Sequence, residues 1–242
     1  MKTFRNDRDW PQIFDRSRFD YERRVNTLLR RHPPSVRFAP LVGADRRTQT
    51  LTFLAVDGEP VGTKFPIDLD EGTIDDLARI AWALPHRVSS CRWLRRFSVT
   101  KRLHAALLAG VISQSVSERV GAAARGHRPQ LRFSHGDLTA RNVLRSDRSG
   151  LVLIDWEWAG LYPIGYDAAF LWFSLVDVDG GRARVAAATP DGAEPWFWVS
   201  ALLIELFHLQ IYAGRPELAA VMPRHLSTRD ELVDRVLGLA TP

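Results

Sequence analysis

Apolar positions along this 242-residue chain fall into runs whose period changes from segment to segment. In residues 19–31, Tyr21, Val25, Leu28 and Leu29 recur at i, i+4, i+7 and i+8, one face of an amphipathic helix. Pro33-Pro34 then stops it. Residues 36–42 and 50–56 are two β-rich runs around a polar turn at Asp45-Arg46-Arg47. Helical spacing returns in residues 70–84 through Ile74, Leu77, Ala78, Ile80, Ala81 and Leu84, behind an acidic first turn that suits the helix dipole. A further helical pattern runs over residues 99–124 through Leu103, Leu107, Leu108, Val111, Ile112, Val116 and Val120, until Gly126-His127-Arg128-Pro129 breaks it. Residues 196–212 and 228–239 read as two more helices. Strands early and helices late predict an α+β architecture.

The chemistry is densest between the two groups of helices. There the chain reads Phe133-Ser134-His135-Gly136-Asp137-Leu138-Thr139-Ala140-Arg141-Asn142-Val143-Leu144, and later Val152-Leu153-Ile154-Asp155-Trp156-Glu157. An Asp, an Asn five residues on and a second Asp thirteen residues after that stand at the ends of apolar runs. Phosphoryl transfer from ATP needs those parts: a carboxylate to orient an attacking hydroxyl and accept its proton, and oxygen ligands for Mg²⁺. An H-x-D-x-x-x-x-N loop followed by an Asp after an apolar strand is the grammar of kinase active sites.

The His135-Gly136-Asp137 triplet, with Gly where protein kinases carry Arg, resembles the aminoglycoside phosphotransferase and choline kinase-like family. The resemblance implies a protein kinase-like bilobal fold. Residues 1–57 would be a truncated, nucleotide-binding β lobe and residues 58–242 a mainly helical lobe carrying the catalytic and metal-binding loops. It further implies that Asp137 orients the acceptor hydroxyl, that Asn142 and Asp155 hold Mg²⁺ against ATP, and that His135 packs beneath the loop. Lys2 would bind phosphate, paired with Glu22, and backbone near Leu54 and Val56 would bond the adenine edge. Glu157 stands either beside the magnesium or bonded to nearby backbone, and Asp167 reads as the N-cap of the next helix. Gly136 cannot pair with a phosphorylated activation loop. Residues 155–167 are short and lack Ala-Pro-Glu, so a small-molecule hydroxyl acceptor fits better than a peptide. No G-x-G-x-x-G occurs, and the strand-loop-strand expected before Lys2 has no counterpart in the chain. Three readings stay open: a start codon assigned too far downstream, a weakly active enzyme, or a kinase-like binding protein.

Composition narrows the setting. The chain is 45% hydrophobic and 25% charged, as an ordinary globular protein is. A single cysteine, Cys91, excludes an internal disulfide and points to a reducing, cytoplasmic compartment; no signal peptide opens the sequence. The apolar run at residues 196–213 contains Glu205, His208 and Gln210, so it reads as a buried core helix and no membrane partner is expected. The net charge of +5 comes from scattered arginines rather than one stripe, so no nucleic acid is expected. Related enzymes recognise cationic acceptors with acids, for which Glu205, Asp177 and Asp179 are candidates; His208 is the expected partner of Glu205. Trp156, Trp158, Trp172, Trp196 and Trp198 read mainly as core, with stacking on the acceptor as their other role. No G-x-S-x-G elbow or Cys/His cluster supports hydrolase or zinc chemistry. The acceptor's identity and the oligomeric state are not written in the sequence.

Overall fold

The expected first helix forms as α1 (Arg18–Arg31), and its apolar stripe is buried: Tyr21, Val25, Leu28 and Leu29, joined by Phe19. Glu22 and Asn26 lie on that same buried face. The computed structural model describes residues 2–3, 18–62, 69–84, 86, 88 and 91–239. Behind α1 stands a small antiparallel sheet of β1 (Lys2–Thr3), β4 (Thr50–Phe53) and β3 (Leu41–Asp45), in the order β1-β4-β3. The register sets Lys2 opposite Leu51, which is fully buried.

The apolar run at 36–42 is two strands rather than one. Pro40 has no N–H to give a ladder, and the chain changes sheets around it. β2 (Arg37–Phe38) pairs parallel with β8 (Gly150–Leu153), whereas β3 pairs with β4. A second sheet is thereby built in the order β2-β8-β7-β5, from the hairpin of β7 (Val143–Ser146) with β8 and the short β5 (Glu59–Pro60). β6 (Leu131–Ser134) and β9 (Gly160–Pro163) form a third, two-stranded ladder.

α2 (Glu71–Ala83) begins where its cap dictates. The Asp70 carboxylate accepts from Thr73 N at 2.9 Å and from Thr73 Oγ1 at 2.6 Å, which lowers its pKa. The pattern at 99–124 divides into α3 (Val99–Leu108) and α4 (Gln114–Gly126). Gly110 turns into the left-handed region (φ +68°), which ends α3, and the Ser113 hydroxyl restarts the helix by accepting from Val116 N.

The remaining helices are α5 (Tyr166–Ser174), α6 (Gly181–Ala187), α7 (Glu194–Ala213) and α8 (Met222–Gly238). α7 is apolar on nearly every side because α5, α3 and α8 all pack on it. By length and composition it could cross a membrane, yet 67% of its apolar window is buried inside the protein. Trp156, Trp172, Trp196 and Trp198 are core, and Trp158 alone of the five indoles singled out above is partly exposed. With 54% helix and 15% strand, the helices gathered after the small sheet, the fold is α+β.

Candidate functional site

The loop between β6 and β7 carries residues 135–142 and is fixed from beneath. Asp167 is fully buried, and its two carboxylate oxygens accept from the backbone N–H of His135 at 2.9 Å and of Gly136 at 2.8 Å. Burial raises the Asp167 pKa, and the neighbouring His135 together with these two N–H groups opposes the rise. Asp167 is therefore a clamp on the loop and not the expected helix cap. Gly165, at φ +93°, occupies the cap position of α5.

His135 does pack beneath the loop, fully buried with its ring 4.7 Å from that of Trp156. Its Nδ1 accepts from Asp137 N at 3.3 Å, so Nε2 carries the proton and donates to Ile154 O at 2.9 Å. Gly136 sits at φ +84°. A Cβ there would lie 2.3 Å from the Trp158 carbonyl oxygen and 3.0 Å from the Tyr162 hydroxyl.

Asp137 follows on this support. Asn142, in a 3₁₀ turn at Ala140–Asn142, donates from Nδ2 to Asp137 Oδ2 at 2.9 Å and to Asp137 O at 2.8 Å. Arg141 approaches the same Oδ2 at 3.5 Å. The second Asp is brought to the first pair by the β7–β8 hairpin, where Val143 pairs with Leu153, and by Ile154 N donating to Asn142 O at 3.0 Å. Asp155 itself stands at φ +64°, a conformation that costs a side-chain-bearing residue energy and tends to persist at functional sites. It opens a second 3₁₀ turn, Trp156–Trp158.

Glu22 reaches this place from α1. One carboxylate oxygen of each of Glu22, Asp155 and Glu157 lies within 4.8 Å of the others. Three carboxylates this close repel unless positive charge offsets them. Glu157 thus joins an acidic cluster, and its backbone carbonyl accepts from Arg95, whose pKa burial lowers. The expected pairing of Glu22 with Lys2 falls on a side chain outside the described residues.

Leu54 and Val56 lie apart from these oxygens. They line a hollow of about 570 Å³ with Val36, Phe38, Ser146 and Val152, and none of Asp137, Asn142 or Asp155 borders it. The Leu54 N–H is given to Pro40 O at 2.8 Å. Two of the three acids expected to meet a cationic acceptor, Glu205 and Asp177, are engaged elsewhere. Glu205 is fully buried, and its partner is His225 on α8 (Nδ1 to Oε1, 2.6 Å); His208 instead bonds the Ile204 carbonyl one turn back. Asp177 is ion-paired with Arg224.

Sequence reading missed a group of half-buried arginines packed on the rings of Tyr21, Trp158 and Tyr166. Arg95 lies over Tyr21 and Trp158, and Arg102 donates to Tyr166 Oη at 3.2 Å. The one available signal was cationic residues in the first turn of α3, where a helix favours acids.

Known proteins share this fold. A family model described as "Phosphotransferase enzyme family" matches residues 69–198. Among solved structures, a choline/ethanolamine kinase family protein from Mesorhizobium loti superposes with a TM-score of 0.67 at 12% identity, covering 91% of this chain and 84% of that one. Choline kinase LicA from Streptococcus pneumoniae gives 0.62 at 14% identity, with 91% and 80% covered. Amicoumacin kinase hAmiN, solved with AMP-PNP, Ca²⁺ and Ami, gives 0.58 at 12% identity, with 90% and 76% covered. At such identities the likeness is one of fold. Comparison with curated protein sequences finds no match.

Proposed function

Because the chain belongs to the phosphotransferase enzyme family, we propose that it moves the γ-phosphate of ATP to a hydroxyl group of a small molecule. The observation that carries this reading is the linked trio of Asp137, Asn142 and Asp155: Asn142 holds Asp137 by its side chain and receives the strand leading to Asp155 by its backbone. In this reading Asp137 orients the acceptor hydroxyl and takes its proton as the oxygen bonds to phosphorus. Asn142 keeps the Asp137 carboxylate in one rotamer, and His135 and Asp167 hold the loop that presents it. Placement of this kind supplies most of the barrier reduction in phosphoryl transfer.

Magnesium fits the donor set. Asp155 and Asn142 would hold it, and the acidic cluster with Glu22 and Glu157 supplies a charge that a divalent ion offsets. A divalent ion held there would supply charge neutralisation for the phosphates. Residues 1–57 would contribute the nucleotide lobe, with Lys2 and Glu22 on the phosphates and backbone at Leu54 and Val56 along the adenine edge. Residues 58–242 would supply the chemistry. With ATP as donor and Cys91 as a free thiol, we assign the reaction to the cytoplasm.

The test is ADP release with Mg-ATP and hydroxylated acceptors. Asp137→Ala and Asp155→Ala should each lower turnover by about 10³-fold while circular dichroism and melting stay those of a folded protein. Mg-ATP should raise the wild-type melting temperature. Full turnover in either variant would refute the assigned roles.

A further inference from the structure

Apart from the buried Asp167, which is bound to the loop amides, the packing between the Asp137 loop and α3 is of rings and arginine. Tyr162 meets the loop at Gly136 and stacks on Tyr166, centroid to centroid 4.2 Å. Tyr166 in turn lies within the electrostatic reach of both Asp137 and Arg102. The guanidinium of Arg102 sits 5.0 Å from the Phe97 ring centroid, 5.8 Å from Tyr166 and 5.6 Å from Phe207. Its donor contact is the Tyr166 hydroxyl, and among the described residues it forms no ion pair.

A half-buried guanidinium without a carboxylate has given up water and regained only part of the loss from aromatic faces. Its position adds to the cost. Arg102 lies near the start of α3, whose first turn holds no acid, so its charge stands toward the positive end of the helix dipole. Two of the acids that could have served a cationic acceptor are already engaged: Glu205 is paired with His225 and Asp177 with Arg224. A half-buried guanidinium held two rings from the loop that presents the reacting carboxylate, with no ion pair of its own among the described residues, is arranged for an anion.

We propose that Arg102 recognises the acceptor, and that the acceptor carries a carboxylate or phosphate group near the hydroxyl that is phosphorylated. The planar guanidinium fork matches either anion with two hydrogen bonds. This deepens the phosphotransferase reading and rests on it. With the anion on Arg102, the hydroxyl oxygen bonds to the γ-phosphorus, the bond from that phosphorus to ADP breaks with its electron pair leaving on ADP, and the hydroxyl proton passes to Asp137.

The experiment compares kcat/KM for matched acid and amine acceptors with Mg-ATP: glycolate against ethanolamine, glycerate against 2-amino-1,3-propanediol, and glycerol 3-phosphate against choline. The acid members should be preferred, and the glycerate and glycerol 3-phosphate arms separate carboxylate from phosphate. Arg102→Gln should lower kcat/KM for the preferred acid by about 10- to 100-fold, mainly through KM, and collapse the acid-to-amine ratio. Arg102→Lys should fall between, and Lys101→Gln, on the exposed side of the same turn, should keep the wild-type ratio. A preference for amines, or an equal loss for every acceptor in Arg102→Gln, overturns the proposal. If no acceptor supports Asp137-dependent ADP release, the phosphotransfer reading fails by itself. The anion site is then judged by tryptophan fluorescence during titration with glycerate and glycerol 3-phosphate. Saturable binding lost in Arg102→Gln upholds it, and no saturable binding overturns it.

Discussion

Gly136 illustrates how much one residue position carries. From sequence, its meaning was the missing Arg of regulated protein kinases. In the folded chain a second reason governs: the Trp158 carbonyl would stand 2.3 Å from any Cβ at this position, and φ is +84°. Both the backbone conformation and the backbone neighbour forbid a side chain, and neither can shift without moving Asp137 or the turn after Asp155. Gly136→Ala should therefore destabilise the protein by about 3 kcal/mol or more, since left-handed strain alone costs roughly 1–3 kcal/mol. Urea denaturation measures this, and a loss below about 1 kcal/mol would show that the loop relaxes freely. The linkage of Asp137, Asn142 and Asp155 was legible because it depends on spacing along one loop and the hairpin that follows it. Asp167 was legible only as an acid near a helix start, because its true partners, the His135 and Gly136 amides, lie about thirty residues away in sequence.

At the scale of elements, apolar periodicity located α1, α2 and α7 well, since each has a stripe or a surface set by one packing environment. It failed where local chemistry interrupts a continuing pattern. Leu107, Leu108, Val111 and Ile112 extend the helical spacing straight through Gly110, yet the left-handed glycine and the Ser113 cap cut the segment in two. Partner choice was equally invisible. Glu205 found His225 on α8 rather than His208 on its own helix, whose ring instead stacks on Phe173 at 4.1 Å. The second Glu205 oxygen has no hydrogen-bond partner among the described residues, and burial, helped by this nearby carboxylate, pushes Tyr212 up to about 12. A buried carboxylate with one good partner is vulnerable to losing it. His225→Leu should cost about 3 kcal/mol, whereas the double change Glu205→Met with His225→Leu should recover most of that loss. Equal destabilisation of the single and double variants in urea melts would mean that shape, not charge pairing, holds α7 to α8.

For the whole molecule, the question is how the small sheet communicates with the oxygen cluster. α1 is the connection, packing on β3 and β4 on one side and on the Trp156–Trp158 turn on the other. Its Glu22 joins Asp155 and Glu157, and its Tyr21 hydroxyl donates to Ala159 O at 2.5 Å while accepting from Arg95 N at 3.1 Å. Tyr21 thus fastens the helix to the segment just past Asp155, at a ring already buried in the core. Removing only that hydroxyl leaves the packing but orphans a buried carbonyl and a backbone N–H. Tyr21→Phe should lower stability by about 1–3 kcal/mol. Because the tie orients Glu22 and Asp155 together, it should also weaken Mg-ATP binding several-fold. Hydrogen exchange separates this from general loosening. Amides of α1 and of residues 156–159 should lose protection, while those of α7 and α8, whose contacts lie in the helical core, should keep it. Uniform loss across α7 and α8, or nucleotide affinity unchanged despite freed amides at residues 156–159, would show that the sheet and the acidic cluster are positioned independently.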